Sequence, residues 1–197
     1  MIRRHGALAP FAAAALMAAA APALAAGMNR AVLDEINFAR AHPAEYARDL
    51  MDGRGEDDHY ARPDTGATEE AIDFLQRQPP LSPLAPNRDL ALAATELAAA
   101  QGPRGLVGHA GADGSSPDER IRRHGVSRSV SAEAISYGYG SAAGVVRQLI
   151  IDDGVSNRGH RLTIFDPSLQ IAGAGCGTHA VYRYVCVIDF AGAPLGR

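Results

Sequence analysis

Two runs near the end of the chain, Leu169 to Gly175 and Tyr182 to Phe190, are rich in apolar and β-branched residues and flank a polar turn around Thr178-His179. That spacing predicts an antiparallel hairpin. The only two cysteines, Cys176 and Cys186, fall on its two arms, so a cross-strand bridge is geometrically possible if the Cα atoms come within about 7 Å. An even cysteine count in an exported chain favours such a bridge over free thiols. A metal site made from this pair alone would be weak, since structural zinc takes a full tetrahedral set of side chains.

Upstream of the hairpin the apolar period is helical. Val32, Leu33, Ile36 and Ala39 share one face of Met28 to Ala41, with Asp34, Glu35 and Arg40 expected to look outward. His42-Pro43 interrupts that helix, and Pro43 suits the first position of a second one running through Leu50. Residues 52–67 carry glycines, aspartates and Pro63 without an apolar period, which predicts a surface loop within one domain. Ala71, Ile72, Phe74 and Leu75 fit a helix that ends before Pro79-Pro80, and Pro79 to Pro86 forms a rigid connector. Asn87 can cap a helix that buries Leu90, Ala94, Leu97, Ala98 and Gln101. Past the glycine-rich stretch Gly102 to Gly114, a helix is delimited over Pro117 to His124. Ser116 is its N-cap, Pro117 its first residue, Glu119 the capping-box partner and Gly125 the left-handed stop. Val145, Val146, Leu149 and Ile150 predict one more helix to about Asp152.

The chain opens like an export signal. Arg3 and Arg4 give a positive start, Leu8 to Ala21 an apolar run, and Ala23-Leu24-Ala25 an A-x-A cleavage site. The expected organisation is a signal peptide over 1–25 and one domain over 26–197, secreted or periplasmic. The apolar run falls short of the roughly 20 residues a bilayer core demands, so no transmembrane segment is expected after cleavage. All 19 basic residues are arginine against 22 acids; the signal removes two arginines and no acid. With no basic stripe to neutralise phosphates, nucleic acid is excluded as a partner. The protein is expected to be a monomer.

Seven histidines occur. His5 leaves with the signal, and His42, His59, His124 and His179 lie at a helix junction, in a loop, at a helix end and in a turn. His109 and His160 differ, since each follows a glycine and precedes a structured element. Two carboxylates accompany them. Glu133 lies between small residues beside Ile135, and Asp152 ends the apolar run Leu149 to Ile151. A carboxylate set against an apolar segment must find a donor or a cation, or stay protonated. Spacing alone does not unite these four groups, because no short metal motif is present.

The segments Gly108 to Pro117 (GHAGADGSSP), Ala132 to Gly138 (AEAISYG), Gln148 to Val155 (QLIIDDGV), Arg158 to Phe165 (RGHRLTIF) and Val187 to Gly192 (VIDFAG) occur in an order that resembles the bacterial proteins of the CAP superfamily, also called SCP-like or pathogenesis-related-1-like. Asp34 to Arg40 resembles the first helix of that family, and the likeness spans about residues 30–192. The resemblance implies an α+β fold, a three-layer α-β-α sandwich with a small antiparallel sheet. It also implies a cleft lined by His109, His160, Glu133 and Asp152, with Asp153 as the fallback acid if the register slips. In several relatives such histidines hold a divalent ion, commonly zinc. Neutral imidazole suits zinc, and carboxylates behind it fix the tautomer. Three departures stand out: Asp152 is shorter than the usual glutamate, and Ala134 and Thr163 replace usual asparagines.

Three functions are compatible with these residues. The first is a binding module that holds a lipid or other envelope-derived ligand at the cleft. It is favoured because no nucleophile is paired with a base and the serines near His109 fit helix caps. The second is a metal-dependent hydrolase, peptidase- or esterase-like, with an ion on His109 and His160 and with Glu133 and Asp152 as the catalytic acids, Glu133 serving as general base. A surface interaction protein with a vestigial cleft is the third.

Overall fold

The computed structural model describes residues 12–53 and 64–193. The basic start of the expected signal, His5, His59 and most of the 52–67 loop lie outside the described residues. The first helix, α1 (Ala12–Ala41), runs without a break through the expected cleavage site, whereas the apolar period marked it only from Met28. Alanine has the highest helix propensity, so an alanine-rich run forms helix without needing the apolar period of an amphipathic one. Among the described residues, no helix is long and apolar enough to cross a membrane.

Six further helices follow: α2 (Pro43–Met51), α3 (Thr65–Arg77), α4 (Arg88–Gln101), α5 (Pro117–Arg123), α6 (Ala142–Ile151) and α7 (Gly159–Ile164), with one 3-10 turn at Gly102–Arg104. Helix α3 begins inside the segment expected to be loop, because Asp64 accepts hydrogen bonds from the Gly66 and Ala67 N–H groups and caps it. At α5 the capping box forms as expected, with Ser116 and Glu119 bonding each other's backbone N–H.

Four strands make one sheet: β1 (Ala85–Pro86), β2 (Ser131–Tyr137), β3 (Ile171–His179) and β4 (Arg183–Ala191), in the order β1-β3-β4-β2. The β3–β4 hairpin and the β2–β4 pair are antiparallel, while β1 runs parallel to β3, so the sheet is mixed rather than purely antiparallel. Cys176 and Cys186 face each other across the hairpin and are joined by a disulfide.

Side chains alternate across this sheet and define the two outer layers. Ala134, Ala172, Ala174, Ile188 and Phe190 point to one face and pack with residues of α1, α2, α3 and α6. Ile135, Val185 and Val187 point to the other and pack on α4, while Ala191 joins Leu90, Ala93 and Ile121 of α4 and α5. Helix α4 lies so close to β3 that a Cβ on Gly173 would stand 2.1 Å from the Ala91 nitrogen, and one on Gly175 2.3 Å from the Thr95 nitrogen. Gly175→Ala is therefore expected to cost ~1–3 kcal/mol through overpacking, seen as a lower thermal midpoint of the purified protein. Arg40, expected to look outward, is instead buried. It gives hydrogen bonds to the carbonyls of Ser82, Ile164, Asp166 and Leu169. Ties to four carbonyls offset the cost of taking the guanidinium out of water.

Candidate functional site

β2 is an edge strand of the sheet, and α5, α6 and α7 pack against it. The residues singled out in the sequence gather around this edge as two imidazole–carboxylate pairs.

The first pair joins His109 to Glu133. Gly108 takes a positive φ of 94°, a conformation that suits glycine, and brings the loop onto Tyr137. The Gly108 N–H donates to Tyr137 Oη at 2.9 Å, and the Gln101 side chain donates to the Gly108 carbonyl. His109 then places Nδ1 2.8 Å from Glu133 Oε1. The imidazole is 52% exposed whereas the Glu133 side chain is 1% exposed, so the carboxylate stands behind the ring and not beside it in solvent. The other oxygen of Glu133 accepts from buried Arg120 Nη2 at 2.6 Å, and Arg120 Nη1 donates to the Ser115 carbonyl at 2.7 Å.

A third acid completes this cluster, and sequence reasoning did not single it out. Asp189 lies directly across from Glu133 in the β2–β4 register and is fully buried. Among the described residues neither of its oxygens has a hydrogen-bond partner. Burial first, then the neighbouring Glu133 charge, push the Asp189 carboxyl up to about 9, with Arg120 pulling the other way. Asp189 thus stays protonated at neutral pH beside the Glu133 carboxylate. One signal was available: Asp189 is a lone acid inside the apolar run Val185 to Phe190, the same criterion that had drawn attention to Asp152.

The second pair joins His160 to Asp152. Helix α6 ends at Asp152, which adopts a left-handed conformation with φ 55°. One oxygen accepts from His160 Nδ1 at 2.7 Å, and the other from the backbone N–H groups of His160 at 2.8 Å and Arg161 at 3.4 Å. The shorter aspartate fits because its carboxylate must bond the backbone at the start of α7 and the ring at once. Asp153, the fallback acid, turns away and accepts from the Asp64 N–H.

Two arginines brace this turn and were likewise not foreseen. Arg161 donates through Nε to the Ile150 carbonyl at 2.6 Å, and through Nη2 to the Ile151 carbonyl at 2.8 Å. These are carbonyls that the end of α6 leaves open. Arg158 donates to the Asp152 carbonyl at 2.7 Å, and both guanidinium groups reach Glu70.

Each histidine bonded through Nδ1 to a carboxylate carries its proton there, which leaves the Nε2 lone pair for a ligand. That donor chemistry fits a zinc-type ion. Among the described residues, no group of three or more His, Cys, Asp and Glu side chains is placed to hold a metal. The other described histidines have structural partners. His179 donates from Nε2 to the Leu106 carbonyl at 2.9 Å and accepts at Nδ1 from Val181 and Tyr182. His124 bonds Glu96, and His42 stacks on Phe38.

The chain is similar in fold to solved structures. An outer surface protein from Borrelia burgdorferi superposes with a TM-score of 0.50 at 18% identity, over 66% of this chain and 89% of that one. An extracellular protein containing a SCP domain from Bacillus anthracis (TM-score 0.47, 17% identity) is matched over 64% of this chain and 40% of that one. A cysteine-rich secretory protein from Staphylococcus aureus (TM-score 0.42, 17% identity) is matched over 68% of this chain and 42% of that one. The chain thus spans less than half the length of the latter two. Among curated proteins, none matches the chain. The model of the cysteine-rich secretory protein family, CAP, matches residues 33–190, most of the chain, and the protein belongs to that family.

Proposed function

We propose that this CAP protein is exported and acts as a binding module, holding a lipid or other envelope-derived ligand at the surface that carries His109 and His160, where the two imidazoles can share a divalent ion such as zinc. One observation carries the reading: both imidazoles rest through Nδ1 on carboxylates that are themselves buried. Burying two carboxylates only to orient two partly exposed rings is costly unless the rings serve a ligand. Exposed Leu106 and Val107 precede His109 in the chain, and exposed Leu162 follows His160. The basic start and A-x-A site support export, as do the extracellular and outer-surface relatives.

A hydrolase draws less support. Glu133, the general base of that reading, is buried and already bonded by His109 and Arg120, which leaves little room for an attacking water.

Zinc binding is read from the thermal midpoint with excess zinc and with chelator. An ion at a hundredfold excess over its Kd adds about 2.7 kcal/mol to stability. The expected outcome is a higher midpoint with zinc in the wild type and none of that gain in His109→Ala or His160→Ala. A zinc shift that persists in both variants, or none in the wild type, overturns the two-imidazole site.

A further inference from the structure

We propose that the β3–β4 hairpin tip and the loop leading into His109 form one face that docks the protein on an anionic lipid surface. The inference concerns recruitment of the whole molecule and uses neither imidazole.

Four large apolar or aromatic side chains stand open to solvent where these two segments meet: Val181 at 67% exposure, Val107 at 58%, Leu106 at 46% and Tyr182 at 39%. Singly such residues mean little, but a contiguous apolar patch marks an interaction surface. Contiguity is built in. The Ala180 N–H donates to the Gly102 carbonyl at 2.8 Å, and His179 holds the Leu106 carbonyl at 2.9 Å. Gly105 lies so close to the tip that a Cβ there would be 2.8 Å from Val181 Cγ2. Tyr182 packs on Tyr137, whose hydroxyl carries the Gly108 N–H. Tip and loop are therefore held as one unit.

Charge identifies the occupant. Exposed Arg104 and Arg183 flank the patch, and Arg183 lies over the Tyr184 ring. No carboxylate occurs among residues 102–112 or 179–188, although the chain as a whole carries a net charge of −3. The positive sign here is local, and charges beyond roughly 8 Å are screened at physiological salt. Aliphatic side chains with tyrosines and arginines beside them match the layers of a membrane surface. The aliphatics enter the acyl boundary, the tyrosines sit at headgroup level, and the arginines meet anionic headgroups with their stems along the apolar surface. Docked this way, the exposed His109 ring lies beside the bilayer.

Sedimentation of the full-length protein with vesicles tests the proposal, comparing equal parts phosphatidylglycerol and phosphatidylcholine with phosphatidylcholine alone. Wild type is expected to partition onto the anionic vesicles and to be released by high salt. Arg104→Gln with Arg183→Gln is expected to lower that partition by roughly 25-fold, and Val107→Asp with Val181→Asp by roughly tenfold or more. Removing two arginines on other helices, Arg48→Gln with Arg77→Gln, is expected to leave it unchanged, and thermal midpoints report that each variant is folded. Equal partition onto both vesicles, none onto either, or an equal loss in the Arg48/Arg77 variant overturns the docking face. The zinc measurement above contains no lipid, so either reading can fail alone.

Discussion

Replacing Arg120 by methionine is expected to cost ~3–5 kcal/mol of unfolding free energy, read as a lower denaturant midpoint with an unchanged slope. The guanidinium is the cation facing two buried acids, Glu133 through a 2.6 Å hydrogen bond and Asp189 through its charge. Methionine fills a similar volume, so the loss reports charge and hydrogen bonding more than a cavity. In the triple variant Arg120→Met, Glu133→Gln, Asp189→Leu no buried charge remains in this cluster, and much of the stability is expected to return. A triple variant as unstable as the single one would show that packing, not the unpaired acid, dominates.

The second large effect depends on pH. Unfolded Asp189 loses its proton near pH ~3.9, whereas the folded carboxyl keeps it to about 9. Between those values the unfolded state binds fewer protons, so stability falls as pH rises. The contribution is complete below the unfolded value and is lost as pH climbs through the folded one. Asparagine at 189 is close in size and does not titrate. Asp189→Asn should therefore gain on the wild type as pH rises, by up to about 1.4 kcal/mol per unit. Denaturant unfolding at pH near 4 and near 8 checks this. A difference between the two proteins that does not change with pH would show that Asp189 is not the proton carrier.

Much of the scaffold was legible because local chemistry marked it. The capping box at Ser116, Pro43 at the start of α2 and the buried stripes of α4 and α6 all formed where the sequence placed them. β2 was harder to see, since Ala132, Ala134 and Ser136 are too small to give one face a strong apolar signal. Helix α7 is a single short piece, held by Asp152 and Arg161 more than by an apolar stripe of its own. Glu133 and Asp152 stood out as acids beside apolar residues. Their bonds to His109 and His160 bridge 24 and 8 positions and needed the fold. Arg120, Arg158 and Arg161 were missed for a common reason: an arginine in a polar helix or turn reads as solvated until a carbonyl or acid is seen to face it.

Both rims of the sheet that carries Glu133 are interrupted: past β1, the Cys176 N–H of β3 donates to the Asn29 side chain of α1. On one side β1 is only two residues long and ends in Pro86, which has no N–H to offer a newcomer. On the other, β2 is flanked by three helices. Interrupted edges of this kind give neighbouring copies little continuous backbone along which to stack into fibres.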